Sequence, residues 1–308
     1  VVAYTLFMHG LEGFSEEAGH EAMWPFFKDH TSYGAILAMI YPLIIGLFFS
    51  KKQSPLVVAI LIILFVVFTI GIYFSYTRAA WLSLAAAFGV WILIKLKIKF
   101  RTLAITGGII GIVVLLSGDQ IQLVLARNDA EHTTEDAGER IKSMTNVSTD
   151  ASNLERLNRW DCAWQMFKEE PLVGFGPGTY AFQYGKFQHS SNLTIISTNE
   201  GDGGNAHSEY LGPLAETGLP GLIIMLCIIS AIFYKGIKLY HVLKSKEQRT
   251  LLLSMICGLV TYFTHGVLNN YLDTDKASML VWGFTAAIIA LEINHNKTIE
   301  KEKDLLHS

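Results

Sequence analysis

The chain has 308 residues, 51% of them apolar and 17% charged, with a formal net charge of -3 at pH 7. Its positive mean hydropathy is high for a soluble protein, and a charge so near neutrality argues against nucleic acid as a partner. The three cysteines, Cys162, Cys227 and Cys257, form neither a metal motif nor a disulfide framework, and two of them fall inside apolar runs.

The chain begins at Val1 in what reads as the tail of a hydrophobic segment, and no signal peptide is visible. Residues 10–30 are polar, with Glu12, Glu16, Glu17, Glu21 and Asp29. Seven apolar runs follow, at 31–50, 56–76, 79–94, 102–118, 214–234, 250–268 and 277–293. Such runs suit a bilayer core of about 30 Å. Lipid offers no water to satisfy backbone groups, so each run is expected to be a continuous helix. The fold class expected is all-α, a polytopic membrane helical bundle with a large, partly helical periplasmic loop domain.

Lys and Arg collect on alternate connections, at 51–52, 95–101, 235–249 and in the tail. The positive-inside rule assigns these to the cytoplasm. Segments 10–30, 77–79, 119–210 and 269–276 then share the outer face, which groups Arg78, Arg156, Arg159, His207 and Asp273 on one side. The expected division is membrane spans over 1–118, a periplasmic loop domain over 119–210, and membrane spans with a cytoplasmic tail over 211–308. No internal repeat is evident.

Within the loop domain, residues 126–150 are acidic and polar. From Ser152 to Lys168, Leu154, Leu157, Trp160, Trp164 and Phe167 recur at helical spacing. This predicts an amphipathic surface helix capped by Ser152 or Asn153 and stopped by Pro171. Its aromatic face is expected on the roof of the membrane domain, where Trp suits the interface. Arg156 and Arg159 are helical neighbours at this spacing. Two guanidinium forks so placed suit a diphosphate; pairing with Glu155 and Asp161 is the plainer alternative. Gly174-Phe-Gly176-Pro-Gly178 lacks a preceding strand and a following Gly-Lys-Ser/Thr, so it reads as a structural turn and not a nucleotide loop. Pro177 also removes an amide donor from its centre.

His207-Ser208-Glu209 stands where the polar region meets an apolar run. A His there has water on one side and dry protein on the other, which suits a proton acceptor titrating near neutral pH. A surface His beside a glycine-rich helix start is the bland alternative. Gly218 and Gly221 permit a tight turn or close packing before the apolar helix. Arg78, between two spans, suits either a cavity-facing cation or a side chain snorkelling to headgroups. His265, Asn269, Asn270, Asp273 and Asp275 cluster near the outer end of the sixth run. Their spacing matches no specific metal motif.

His207-Ser208, nine residues, then Gly218-Leu-Pro-Gly221 resembles the signature of the bacterial O-antigen ligase and O-antigen polymerase superfamily. Arg156-Leu-Asn-Arg159-Trp160 followed by Pro171-Leu-Val-Gly174-Phe-Gly176-Pro-Gly178 is similar to a second block of that family. A weaker likeness runs through Phe27-Lys-Asp-His30-Thr-Ser-Tyr33-Gly34 and Thr77-Arg78-Ala-Ala-Trp81, where Thr77 replaces the commoner Ser. The resemblance implies further spans before Val1, because the family usually has more than are counted here. It also implies a metal-independent glycosyltransferase of the bacterial inner membrane, active at the periplasmic face. The donor would be an undecaprenyl-diphosphate-linked glycan and the acceptor a glycolipid, glycan or protein hydroxyl. His207 would be the catalytic base, with Arg78, Arg156 and Arg159 on the diphosphate and His30, His265 and Asp273 lining the cavity. The leaving group is already activated, so no cofactor is expected. A polysaccharide polymerase, a protein O-oligosaccharyltransferase and a lipid-linked glycan transporter are the alternatives. The lack of repeats weighs against transport.

Overall fold

The computed structural model describes residues 1–50, 53–98, 151–188 and 204–307, with isolated positions between 101 and 108. The expected fourth span, apart from such positions, and the acidic stretch 126–150 lie outside the described residues. The helices are α1 (Val2–Leu11), α2 (Glu16–Glu21), α3 (His30–Ser50), α4 (Pro55–Tyr73), α5 (Arg78–Lys95), α6 (Ala151–Glu169), α7 (Tyr180–Gln183), α8 (Leu211–Val242), α9 (Lys246–His265) and α10 (Asp275–His307). A 3-10 turn, Tyr184–Phe187, follows α7. No strand occurs among the described residues, so the fold is all-α. Among the described residues five helices, α3, α4, α5, α8 and α10, are long and apolar enough to cross a membrane. The chain is a multi-pass membrane protein.

The chain divides into two compact units. The first comprises residues 1–97, 228–266 and 271–308. Its central helix is α9, which packs on α3, α5 and α10. This is the expected sixth span. By length and composition it is not among the helices able to cross a membrane, and other helices cover it: every residue from Leu252 to Phe263 is buried. Its buried hydroxyls return to their own helix, Ser254 to the Thr250 carbonyl at 2.9 Å and Thr261 to the Gly258 carbonyl at 2.7 Å. At the crossing of α3 and α9, a Cβ on Gly46 would stand 1.8 Å from Ser254 Oγ, so a larger residue would force the helices apart. Ser54 caps α4, its Oγ accepting from Val57 N at 3.4 Å, and Pro55 occupies the first helical position.

The second unit comprises residues 98–227 and 267–270. Its core is Cys162, Ala163, Met166, Tyr180, Tyr184, Ala206 and Ala215. The helix expected over 152–168 is present as α6, ending before Pro171 as predicted. Ser152 and Asn153 lie inside it and so do not cap it. The face it buries most deeply carries charged and small residues. Glu155, Arg159, Cys162, Ala163 and Met166 are buried, while Trp164 is 45% exposed and Leu154, Leu157, Trp160 and Phe167 are only part-buried. The small Cys162 and Ala163 let the rings of Tyr180 and Tyr184 lie close against the helix. An aromatic stripe could not accommodate them.

Candidate active site

The second unit holds its site by joining two backbone segments. Gly218 interrupts α8 with φ 68° and ψ -169°, a conformation that strongly favours glycine. The break frees helical donors and acceptors, and the turn after α6 satisfies them. Leu219 N donates to the Pro171 carbonyl at 2.9 Å, Phe175 N to the Ala215 carbonyl at 3.2 Å and Gly176 N to the Glu216 carbonyl at 2.8 Å. The Glu216 carboxylate accepts from Gly178 N at 2.9 Å and Tyr180 N at 3.0 Å. A Cβ on Gly174 would stand 2.3 Å from the Glu216 carbonyl carbon, and one on Gly218 would stand 2.6 Å from that of Leu172. The glycine-rich stretch is thus a structural turn, with its amides spent on α8 and, for Gly174, on the Glu170 carbonyl, and none left to cradle a phosphate.

This joint fixes the segment leading into α8. Ser208 Oγ accepts from Tyr210 N at 3.3 Å and Leu211 N at 3.4 Å, ordering the helix start. His207 sits just before it with φ 46°, in the left-handed region that few non-glycine residues occupy. Two bonds hold it there: His207 N donates to Asn205 Oδ1 at 3.0 Å, and Trp160 Nε1 of α6 donates to the His207 carbonyl at 3.3 Å. Strain of this kind persists where surroundings over-determine it, often at functional sites.

The imidazole of His207 is held neutral. Burial is the largest cause, followed by Arg156 and Arg159; together they lower its pKa from 6.5 to about 4, against smaller opposing effects from Glu155 and a side-chain hydrogen bond to Asn269. That bond favours the charged ring, so His207 donates to the Asn269 carboxamide oxygen. Its other ring nitrogen then carries a lone pair.

The two arginines, neighbours on α6, have different settings. Arg159 is buried, and its Nε donates to Glu155 Oε1 at 2.7 Å. Its guanidinium lies 4.2 Å from the Tyr184 ring centroid, and a Cβ on Gly204 would stand 1.4 Å from Nη1. Tyr180 Oη donates to the Arg159 carbonyl at 2.7 Å, and its ring stacks on Tyr184 at 5.2 Å. Arg159 is therefore gripped on several sides. Its Nη1 is buried without a hydrogen-bond partner among the described residues. Arg156 is only part-buried, and its charge acts on His207 more than that of Arg159. Cys162 beneath them has its thiol pushed up to about 11, mainly by burial, and is a packing residue.

The structure thus brings Arg156, Arg159 and His207 together in the second unit. The other anticipated residues belong to the first. Arg78 is exposed at the first position of α5, next to the buried Thr77, whose Oγ1 donates to the Ser75 and His30 carbonyls at 3.0 and 3.1 Å. His30 Nδ1 lies 2.7 Å from the Ser75 carbonyl. His265 is buried at the end of α9, with its ring 5.8 Å from Tyr271. Asp273 is exposed. No group of three or more His, Cys, Asp and Glu able to hold a metal occurs among the described residues. Sequence reasoning did not assign Asn269 to His207, nor Glu216 to the turn. Glu155 was legible as the residue four before Arg159.

A part-buried, neutral imidazole with one ring nitrogen left to accept among the described residues, beside two guanidinium groups, can take a proton where negative charge collects. The family model for O-antigen ligase matches residues 63–226, more than half of the chain, and spans Arg78, both α6 arginines, His207 and the joint at Gly218. No curated protein matches the chain. On the extent of that match, the chain belongs to the O-antigen ligase family.

Proposed function

We propose that this protein transfers a glycan from an undecaprenyl-diphosphate donor to an acceptor hydroxyl on a glycolipid, glycan or protein, at the periplasmic face of the bacterial inner membrane. The observation that carries this reading is His207, held uncharged beside Arg156 and Arg159. The acceptor oxygen attacks the anomeric carbon. The bond from that carbon to the diphosphate oxygen breaks, and its electron pair leaves with the diphosphate. His207 takes the acceptor proton on the nitrogen not bonded to Asn269. Charge grows on the leaving diphosphate, where preorganised cations in a partly dry site stabilise it. Arg156, part-buried and the arginine whose charge acts more strongly on His207, is the first choice for this contact. Arg159, gripped by Glu155, Tyr184 and the Gly204 backbone, adds its positive charge from beneath without a direct contact. The family motif supports Arg78 as a further diphosphate contact. The alternation of Lys/Arg-rich connections supports the periplasmic assignment. The reading requires neither metal nor cofactor.

The test is a reconstituted assay with lipid-linked donor and purified acceptor, scored separately for product and for donor retention. His207→Ala is expected to lose turnover while retaining donor. Near-native turnover would overturn the role given to His207, and parallel loss of donor would make it a donor ligand or structural residue.

A further inference from the structure

The first unit contains a second feature that glycosyl transfer does not use. A cavity of about 930 Å³ lies between α3, α5 and α9. Its walls are apolar and aromatic, with Phe49 on α3 and Trp81, Phe88 and Trp91 on α5. At one end stand Lys95, Lys246 and Arg249. From Trp81 to Lys95 the cavity follows α5 for about 21 Å at helical rise, more than the roughly 15 Å of one leaflet's hydrocarbon. Charge and shape therefore divide along its length as they do in a phospholipid.

The cations at this end are unlike their neighbours. Lys235 pairs with Glu292 at 2.9 Å and Lys244 with Glu302 at 3.5 Å. Lys95, Lys246 and Arg249 have no carboxylate within salt-bridge distance among the described residues. Lys95 and Arg249 instead converge on one ring, with Lys95 Nζ 5.8 Å and Arg249 Cζ 4.7 Å from the Tyr240 centroid. Arg249 Nε is buried without a hydrogen-bond partner among the described residues. Like charges gathered on one ring, with a donor unspent, are stabilised by an anion between them. An apolar recess in a membrane bundle opens onto hydrocarbon, and basic pockets between membrane helices favour anionic headgroups.

We propose that this cavity binds an anionic glycerophospholipid, its acyl chains along α5 and its phosphate among Lys95, Lys246 and Arg249. A cation near an anionic lipid surface contributes roughly fivefold in affinity. Three of them, partly screened by salt, give an expected preference of about tenfold or more over a zwitterionic lipid with the same chains.

The experiment is native mass spectrometry of the full chain from mixed micelles holding equal phosphatidylglycerol and phosphatidylcholine. Retention of phosphatidylglycerol at about tenfold excess supports the proposal, as does a fall in that excess at high salt. The Lys95→Gln/Lys246→Gln/Arg249→Gln variant is expected to retain both lipids equally. Ala85→Trp, at a position lining the cavity, is expected to retain neither, with an unchanged melting temperature. As a readout on the unaltered chain, brominated phosphatidylglycerol is expected to quench tryptophan emission more than its phosphatidylcholine counterpart. Equal retention by the wild type would overturn the proposal, as would a preference that survives charge removal. Displacement of phosphatidylglycerol by an equimolar polyprenyl phosphate, or a delipidated dimer whose formation Ala85→Trp blocks, would assign the cavity to another occupant and equally overturn it.

Discussion

The neutral state of His207 makes the sharpest prediction, because burial and the two arginines set it and each can be altered separately. With a pKa near 4, only about one His207 ring in a thousand is protonated at pH 7, against about a quarter for an unperturbed histidine. The acidic limb of kcat/KM, which reports the free enzyme, is expected near pH 4 and not near 6.5. Arg156→Gln removes the larger of the two cationic effects, so the limb should move upward by about one pH unit. It should not reach the ordinary histidine value, because burial is the first cause and remains. Bound diphosphate acts with the same sign, offsetting the arginine charges, so the limb of kcat should lie above that of kcat/KM. His207→Ala should remove the limb and cost about 10²–10⁴ in turnover, roughly 2.7–5.4 kcal/mol of barrier. The assay is the reconstituted transfer reaction from about pH 4 to 9, with preincubation controls for acid inactivation. A wild-type limb near 6.5, or a downward shift in Arg156→Gln, would refute the reasoning.

Arg156→Lys should weaken donor binding with little change in melting temperature, since a point charge cannot reproduce a bidentate fork; an unchanged donor affinity would remove Arg156 from the diphosphate. Glu155→Ala strands the buried Arg159 charge and should cost about 3 kcal/mol, read by thermal melting; a near-native melt would refute this. Gly174→Ala, which forces a Cβ to 2.3 Å from the Glu216 carbonyl carbon at φ 64°, should lower the melting temperature and loosen the His207 segment; a near-native melt would show that the joint yields easily. On a cysteine-free background, Glu135→Cys should react with an impermeant reagent from the periplasmic side and Lys244→Cys should not. EDTA should leave the rate unchanged; abolition and rescue by a divalent ion would replace the arginine-only account of leaving-group stabilisation.

Much of this architecture is legible along the chain. Apolar runs about as long as a bilayer is thick can only be helices in lipid, because backbone groups there must satisfy themselves; α3, α4, α5, α8 and α10 follow. The helical period over 154–167 and the stop at Pro171 locate α6 for equally local reasons. The change from polar to apolar at His207 marks where a proton acceptor would stand. Partner choice is different, because it depends on what distant segments bring to each face. The aromatic positions of α6 are more hydrophobic than Glu155 and Arg159. Yet the charged stripe is the buried one, since Glu155, Tyr184 and the Gly204 backbone all close around Arg159. Nothing near His207 in sequence announces Asn269 as its hydrogen-bond partner. The glycines at 174 and 218 each suggest a bend, but not that the two bends meet and satisfy one another's backbone. Local composition determined where helices run. The tertiary structure decided which side chains are dry, which charges face each other and hence that His207 is uncharged, because dielectric and distance are properties of the packed chain.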